Sequence, residues 1–104
     1  MATRERLPNR RIAITYTLGG HPNHLYMTVG KYSDGRIGEV FLDTNKDGTF
    51  TRSILHAFAI MLSTALQHGI PLDDLIQSFR NFQTADPPFI EWIFTTLNEE
   101  QKNA

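Results

Sequence analysis

With 104 residues, 40% of them hydrophobic, the chain has material for one domain with a single modest core and not for two. Ten lysines and arginines against eleven aspartates and glutamates leave a formal net charge of -1, which excludes the broad basic field behind nonspecific nucleic-acid binding. The chain contains no cysteine, so disulfides, thiolate zinc sites and thiol nucleophiles are excluded together.

The N-terminal MATRERLPNRR has no apolar stretch behind its charges and does not read as a signal peptide. No run approaches the ~20 apolar residues of a membrane span. The expectation is a soluble, cytoplasmic protein without a membrane partner. Residues 1–10 carry four charges and Pro8 and read as a flexible arm ahead of one domain over 11–104. From Arg11 the pattern alternates, with Ile12, Ile14, Tyr16 and Leu18 on one face and Arg11, Ala13, Thr15 and Thr17 on the other, the mark of a half-buried strand. GGHPN at 19–23 breaks it. A second alternating run sets Leu25, Met27 and Val29 against Tyr26, Thr28 and Tyr32. Asp34-Gly35 then predicts a tight hairpin into a third strand at 37–42, because both residue types tolerate positive φ.

Beyond Gly48 the period lengthens to that of a helix. Ile54, Phe58, Met61, Leu62 and Ala65 form one stripe with Leu55, Ala59 and Leu66 beside it, and only Ser53, His56, Ser63, Thr64 and Gln67 make a polar strip. So wide an apolar face predicts a central, largely buried helix. Gly69 suits its C-terminal cap, and Pro71 opens the next helix. That helix puts Leu72, Leu75, Ile76 and Phe79 on one face and Asp73 and Asp74 in its first turn, where they favour the dipole. After ADPP at 85–88, a last helix carries Phe89 or Ile90, Ile93, Phe94 and Leu97 at helical spacing. The fold class is α+β, a three-stranded antiparallel meander packed against two or three helices.

Asp43, Asn45, Asp47 and Gly48 imitate the start of a calcium loop, but the twelfth position, where a bidentate Glu belongs, is Ile54, so no metal site is expected. The free N–H groups of the following helix, with Lys46, Gly48, Thr49, Thr51 and Arg52 around them, instead suggest an anion site. The simpler reading is that Thr49 or Thr51 caps the helix and Asp47-Gly48 makes a turn. His21 and His24 read as loop residues, since zinc needs three or four ligands. His56 and His68 are too far apart to share an ion. Glu39 reads as an edge or solvent-facing carboxylate, with a buried acid as the alternative, and Asp73 and Asp74, adjacent on a helix, point apart. Trp92 falls off the apolar stripe of the last helix and either covers a core edge or joins a partner surface. No catalytic constellation and no cofactor motif emerges.

Four stretches together resemble the TSCPD domain, the small C-terminal module of adenosylcobalamin-dependent (class II) ribonucleotide reductases that also occurs as short stand-alone bacterial proteins. They are LYMTVGKYSDGRIGEVFL, NKDGT, ILHAFAIMLSTALQHGIPLDDLIQSF and PPFIEWIFTTL, in order over residues 24–97. The combination of G-x-x-G-E-hydrophobic-F with A-L-Q-x-G-x-P-L carries the likeness. The cysteines of the reductase region have no counterpart here, and nothing corresponds to the catalytic barrel or cobalamin site. The resemblance therefore implies a noncatalytic module, an accessory or regulatory unit in deoxynucleotide metabolism whose partner is a ribonucleotide reductase or another protein. Two alternatives stand beside it. One is a phosphate-ligand or nucleic-acid module using Lys46, Arg52 and the basic arm Arg4, Arg6, Arg10 and Arg11, with nucleic acid disfavoured by the near-neutral charge. The other is a structural homodimer formed through the sheet edge or the last helix.

Overall fold

The computed structural model describes residues 3–19, 24–45, 48–82 and 89–102. The alternating runs form β1 (Ala13–Leu18), β2 (Leu25–Lys31) and β3 (Ile37–Thr44), and the helical periods form α1 (Thr49–Gln67), α2 (Leu72–Phe82) and α3 (Phe89–Lys102). The strands pair antiparallel in the order β1-β2-β3, so the sheet is the expected meander with β1 and β3 at its edges.

The β2–β3 turn lies where Asp34-Gly35 predicts it but is built differently. Only Gly35 has positive φ, at 92°, and no non-glycine residue shares that region among those described. Gly35 N–H donates to the Tyr32 carbonyl at 3.0 Å and Tyr32 N–H to the Arg36 carbonyl at 2.9 Å, which closes a three-residue loop. Asp34 fixes the exit by accepting from Arg36 N–H at 3.1 Å and from its guanidinium at 2.7 Å. Past the turn, Lys31 pairs with Ile37 and Gly30 with Glu39, leaving Gly38 as the extra residue of a bulge.

Leu25, Met27 and Val29 of β2 and Val40 and Leu42 of β3 point to one face and form the core with Leu55, Ala59 and Leu62 of α1, Leu72 and Ile76 of α2, and Ile93, Phe94 and Leu97 of α3. The opposite face carries the Thr15–Thr28 hydroxyl pair at 3.0 Å and leaves Phe41 exposed. The three helices meet at Phe58, Phe79 and Phe94, whose ring centroids lie 5.0–6.3 Å apart. Arg80 to Glu91 at 2.8 Å and Gln101 to Asp73 at 2.9 Å add polar ties between α2 and α3. Gly69, at φ 86°, ends α1 as expected, with Gly69 N–H donating to the Leu66 carbonyl and Ile70 N–H to the Ala65 carbonyl.

The expectation of a largely buried α1 is not met. Leu55, Ala59, Leu62 and Gln67 are buried, whereas Ile54, Ile60 and Met61 are more than half exposed. The sheet covers one side of the helix, and Phe58 meets Phe79 of α2 and Phe94 of α3. By length and composition α1 is apolar enough to cross a membrane, which corrects the expectation that no run approaches a span.

Candidate functional site

As an edge strand, β3 turns backbone groups away from the sheet, and each needs a partner if it is not to face water. The polar strip of α1 supplies them. Ser63 Oγ accepts from Val40 N–H at 2.8 Å and donates to the Val40 carbonyl at 3.0 Å. Gln67 Nε2 donates to the Gly38 carbonyl at 2.9 Å, while its Oε1 accepts from Arg4 Nε at 2.6 Å. The Gln67 backbone carbonyl accepts from Glu5 N–H at 2.7 Å, and the Tyr32 hydroxyl donates to the Glu5 carbonyl. Residues 4 and 5, in the segment expected to be an arm, are thus tied to both helix and hairpin.

Beside this seam lies a groove of about 530 Å³ between the outer edge of β3 and α1, with Tyr26, Phe41, Asp43, His56 and Ile60 among its walls. Asp43 at its end is held by Arg52 through both carboxylate oxygens, at 3.1 and 3.2 Å. Its carboxyl lies below the ordinary range, first because it accepts from Thr44 N–H and then because of Arg52. His56 is exposed on the groove wall.

Two charged constellations were not legible as such in the sequence. Glu39 lies on the edge strand β3, as one of the expected placements has it, but it is buried and meets Arg11 Nε at 2.5 Å, which corrects the solvent-facing one. Gly30, its partner across the ladder, allows this, since a Cβ there would lie 2.4 Å from Glu39 Oε1. On the core side, Lys31 is buried with Glu100 of α3, which also accepts from the Tyr16 hydroxyl. Lys31 and then Tyr16 hold the Glu100 carboxyl below its ordinary value. The Glu100 hydrogen bond, followed by burial, pushes the Tyr16 hydroxyl up to about 12.

Gly48, Thr49, Thr51 and Arg52 gather at the start of α1, and Lys46 lies outside the described residues, as do His21 and Asp47. Gly48, at φ 131°, is the N-cap, so the capping position falls on neither Thr49 nor Thr51. The Arg52 guanidinium is engaged by Asp43. His24 packs edge-on against Tyr26 at 6.3 Å, and its N–H donates to Asn45 Oδ1 at 2.9 Å. Trp92, 38% exposed, borders a shallow hollow with Thr17, Leu18, Gly19 and Thr95.

The family model of the TSCPD domain matches residues 3–101. The chain belongs to the TSCPD domain family. This TSCPD domain is similar to proteins named vitamin B12-dependent ribonucleotide reductase. The protein from Bradyrhizobium diazoefficiens is 42% identical over 91 residues, covering 84% of this chain and 7% of the relative. That from Agrobacterium fabrum is 45% identical over 78 residues, 73% of this chain and 6% of the relative. That from Streptantibioticus cattleyicolor is 40% identical over 108 residues, 90% of this chain and 18% of the relative. The TSCPD domain thus spans less than a fifth of the length of these curated relatives. No solved structure matches it.

The two stretches that carry the likeness have structural uses in this TSCPD domain. In Gly35-x-x-Gly38-Glu39-Val40-Phe41, Gly35 makes the turn, Gly38 leaves room for the Tyr32 ring, Glu39 holds Arg11 and Val40 receives Ser63. In the stretch from Ala65 to Leu72, Gln67 stitches the edge, Gly69 ends α1 and Leu72 enters the core.

Proposed function

We propose that this TSCPD domain is a noncatalytic module that binds a vitamin B12-dependent ribonucleotide reductase and adjusts its turnover in deoxynucleotide metabolism. The observation that carries this reading is the groove between β3 and α1. The polar groups behind it are already committed to holding the fold together, as Ser63, Gln67, Glu39 and Asp43 illustrate. What the groove offers a partner is shape, the apolar surface of Phe41 and Ile60, and the exposed imidazole of His56. That composition suits a protein segment better than a reacting small molecule. The relation to the reductases rests on the family membership and on the relatives' names.

The test combines binding and turnover. The purified chain is titrated into a purified vitamin B12-dependent ribonucleotide reductase by calorimetry, and reductase turnover is then followed with and without it. The expected result is a saturable complex that Phe41→Glu weakens, with a change in reductase turnover at saturation. The chain alone, given adenosylcobalamin, a thiol reductant and ribonucleotide, is expected to form no deoxynucleotide. Absence of binding and of any effect on turnover at high concentration would overturn the proposal, as would turnover by the chain itself.

A further inference from the structure

We propose that a second copy of this chain covers the outer face of α1, the two helices packing antiparallel about a two-fold axis near Ala57. Phe50 (78% exposed), Ile54 (53%), Ile60 (65%) and Met61 (71%) stand away from the core. Helical spacing makes them continuous, because Phe50 neighbours Ile54, Ile54 neighbours exposed Ala57, and Ala57 neighbours Ile60 and Met61. Residues 53–67 include no Lys, Arg, Asp or Glu, so this stretch presents no formal charge to water. The four large side chains expose on the order of 500 Å². That is near the top of the largest patch on an ordinary monomer and roughly two thirds of the ~800 Å² that one partner gives to a standard interface. Ser53 lies within the patch, between Phe50 and Ala57, while Thr64 and His68 at its C-terminal margin can supply part of a polar rim.

Two features select a second copy over other occupants. The first is charge at the helix ends. α1 has no acidic residue in its first turn and no basic residue in its last, whereas α2 has Asp73, Asp74 and Arg80 and α3 has Glu91 and Lys102. An antiparallel copy of α1 lays the negative end of one dipole beside the positive end of the other, which is the compensation the helix lacks. The second is symmetry. Ala57 lies next to the midpoint of Thr49–Gln67, so a two-fold axis there brings both pairs of ends together. Rotation about that axis sets Ile54 opposite Ile60 of the other copy, with the small Ala57 side chains at the closest approach. A surface of this kind meets itself without like charges, as an isologous interface requires.

Ile60 borders both this face and the groove, but the inference does not rest on the reductase reading, and its test uses no reductase. The full chain is examined by sedimentation equilibrium at tens of micromolar, with Met61→Glu as the perturbation and circular dichroism as the control for folding. Because the chain has no cysteine, Ala57→Cys gives a single thiol, and a short bismaleimide reports whether the two 57 positions meet. The wild type is expected at twice the chain mass, Met61→Glu to weaken the dimer ~30-fold or more with an unchanged spectrum, and Ala57→Cys to cross-link where a Glu99→Cys control does not. A wild-type monomer overturns the proposal, as does a dimer that survives Met61→Glu while Ala57→Cys stays uncoupled. A monomer that partitions into phosphatidylcholine vesicles through this face also overturns it and assigns the face to a lipid surface.

Discussion

Removing the Lys31 ammonium separates two views of the buried charges that join α3 to the sheet. The Lys31 and Glu100 side chains are 10% and 6% exposed, so Lys31→Met leaves a carboxylate in the interior with only the Tyr16 hydroxyl as partner. Breaking a buried pair in this way costs ~3–5 kcal/mol, a large share of the ~5–15 kcal/mol of a domain's total stability. Lys31→Met with Glu100→Gln removes both charges, keeps an acceptor for Tyr16, and is expected within ~1 kcal/mol of the wild type. The pH dependence follows from the same geometry. In the wild type the folded Glu100 value is depressed, so its stabilisation is present above about pH 4.5, the ordinary value, and is lost as the pH falls through the folded one. In Lys31→Met the cation that depresses it is gone and burial opposes the charge, so protonation relieves the cost and the deficit relative to wild type narrows in acid. Urea midpoints of the wild type, single and double variants at pH 7 and pH 4 test this. A single-variant deficit below ~1 kcal/mol at pH 7, or a double variant as unstable as the single, would refute the reasoning.

Three further outcomes are expected. Ser63→Ala removes the partner of both Val40 N–H and Val40 carbonyl, and should cost ~1–3 kcal/mol by chemical denaturation, with faster amide exchange at Val40. Gly38→Ala places a Cβ 2.6 Å from the Tyr32 ring and 2.8 Å from Leu7 Cδ1, and should destabilise by ~1–3 kcal/mol in the same assay. The raised Tyr16 value means that its stabilisation is complete below pH 10 and lost as the pH climbs toward 12. Denaturation from pH 9 upward should therefore show an alkaline loss that is smaller in Tyr16→Phe.

Much of the fold is legible because periodicity reports faces. Ile76, Ile93, Phe94 and Leu97 lie on predicted stripes and are buried, and Gly69 caps where a residue without Cβ is needed. The same signal misleads on α1, since a wide apolar face says that cover is required and not that this chain supplies all of it. Asp34-Gly35 locates the turn, but loop length depends on which residues take positive φ, and only Gly35 does. Ser63 and Gln67 look like a solvated strip because their partners are backbone groups of an edge strand, which no residue type advertises. The burial of Glu39 is hidden because its partner Arg11 lies 28 residues away in the chain. Lys31 on an otherwise apolar strand hints at a buried ion pair, but nothing local points to Glu100.

The bond from Tyr16 to Glu100 closes 84 residues of chain, while the β2–β3 hairpin closes three and leads directly into α1. Closure entropy rises with loop length, so assembly should begin at the hairpin and α1, and α3 should dock late. The Lys31–Glu100–Tyr16 cluster then forms after the barrier to folding. Its loss should accelerate unfolding in a chevron experiment while leaving the folding limb almost unmoved, and a slowed folding limb would place α3 in the nucleus instead. On that order Ser63 and Gln67 cover the outer edge of β3 while the fold is still incomplete, so one of the two sheet edges is shielded from chance pairing during the interval before α3 arrives.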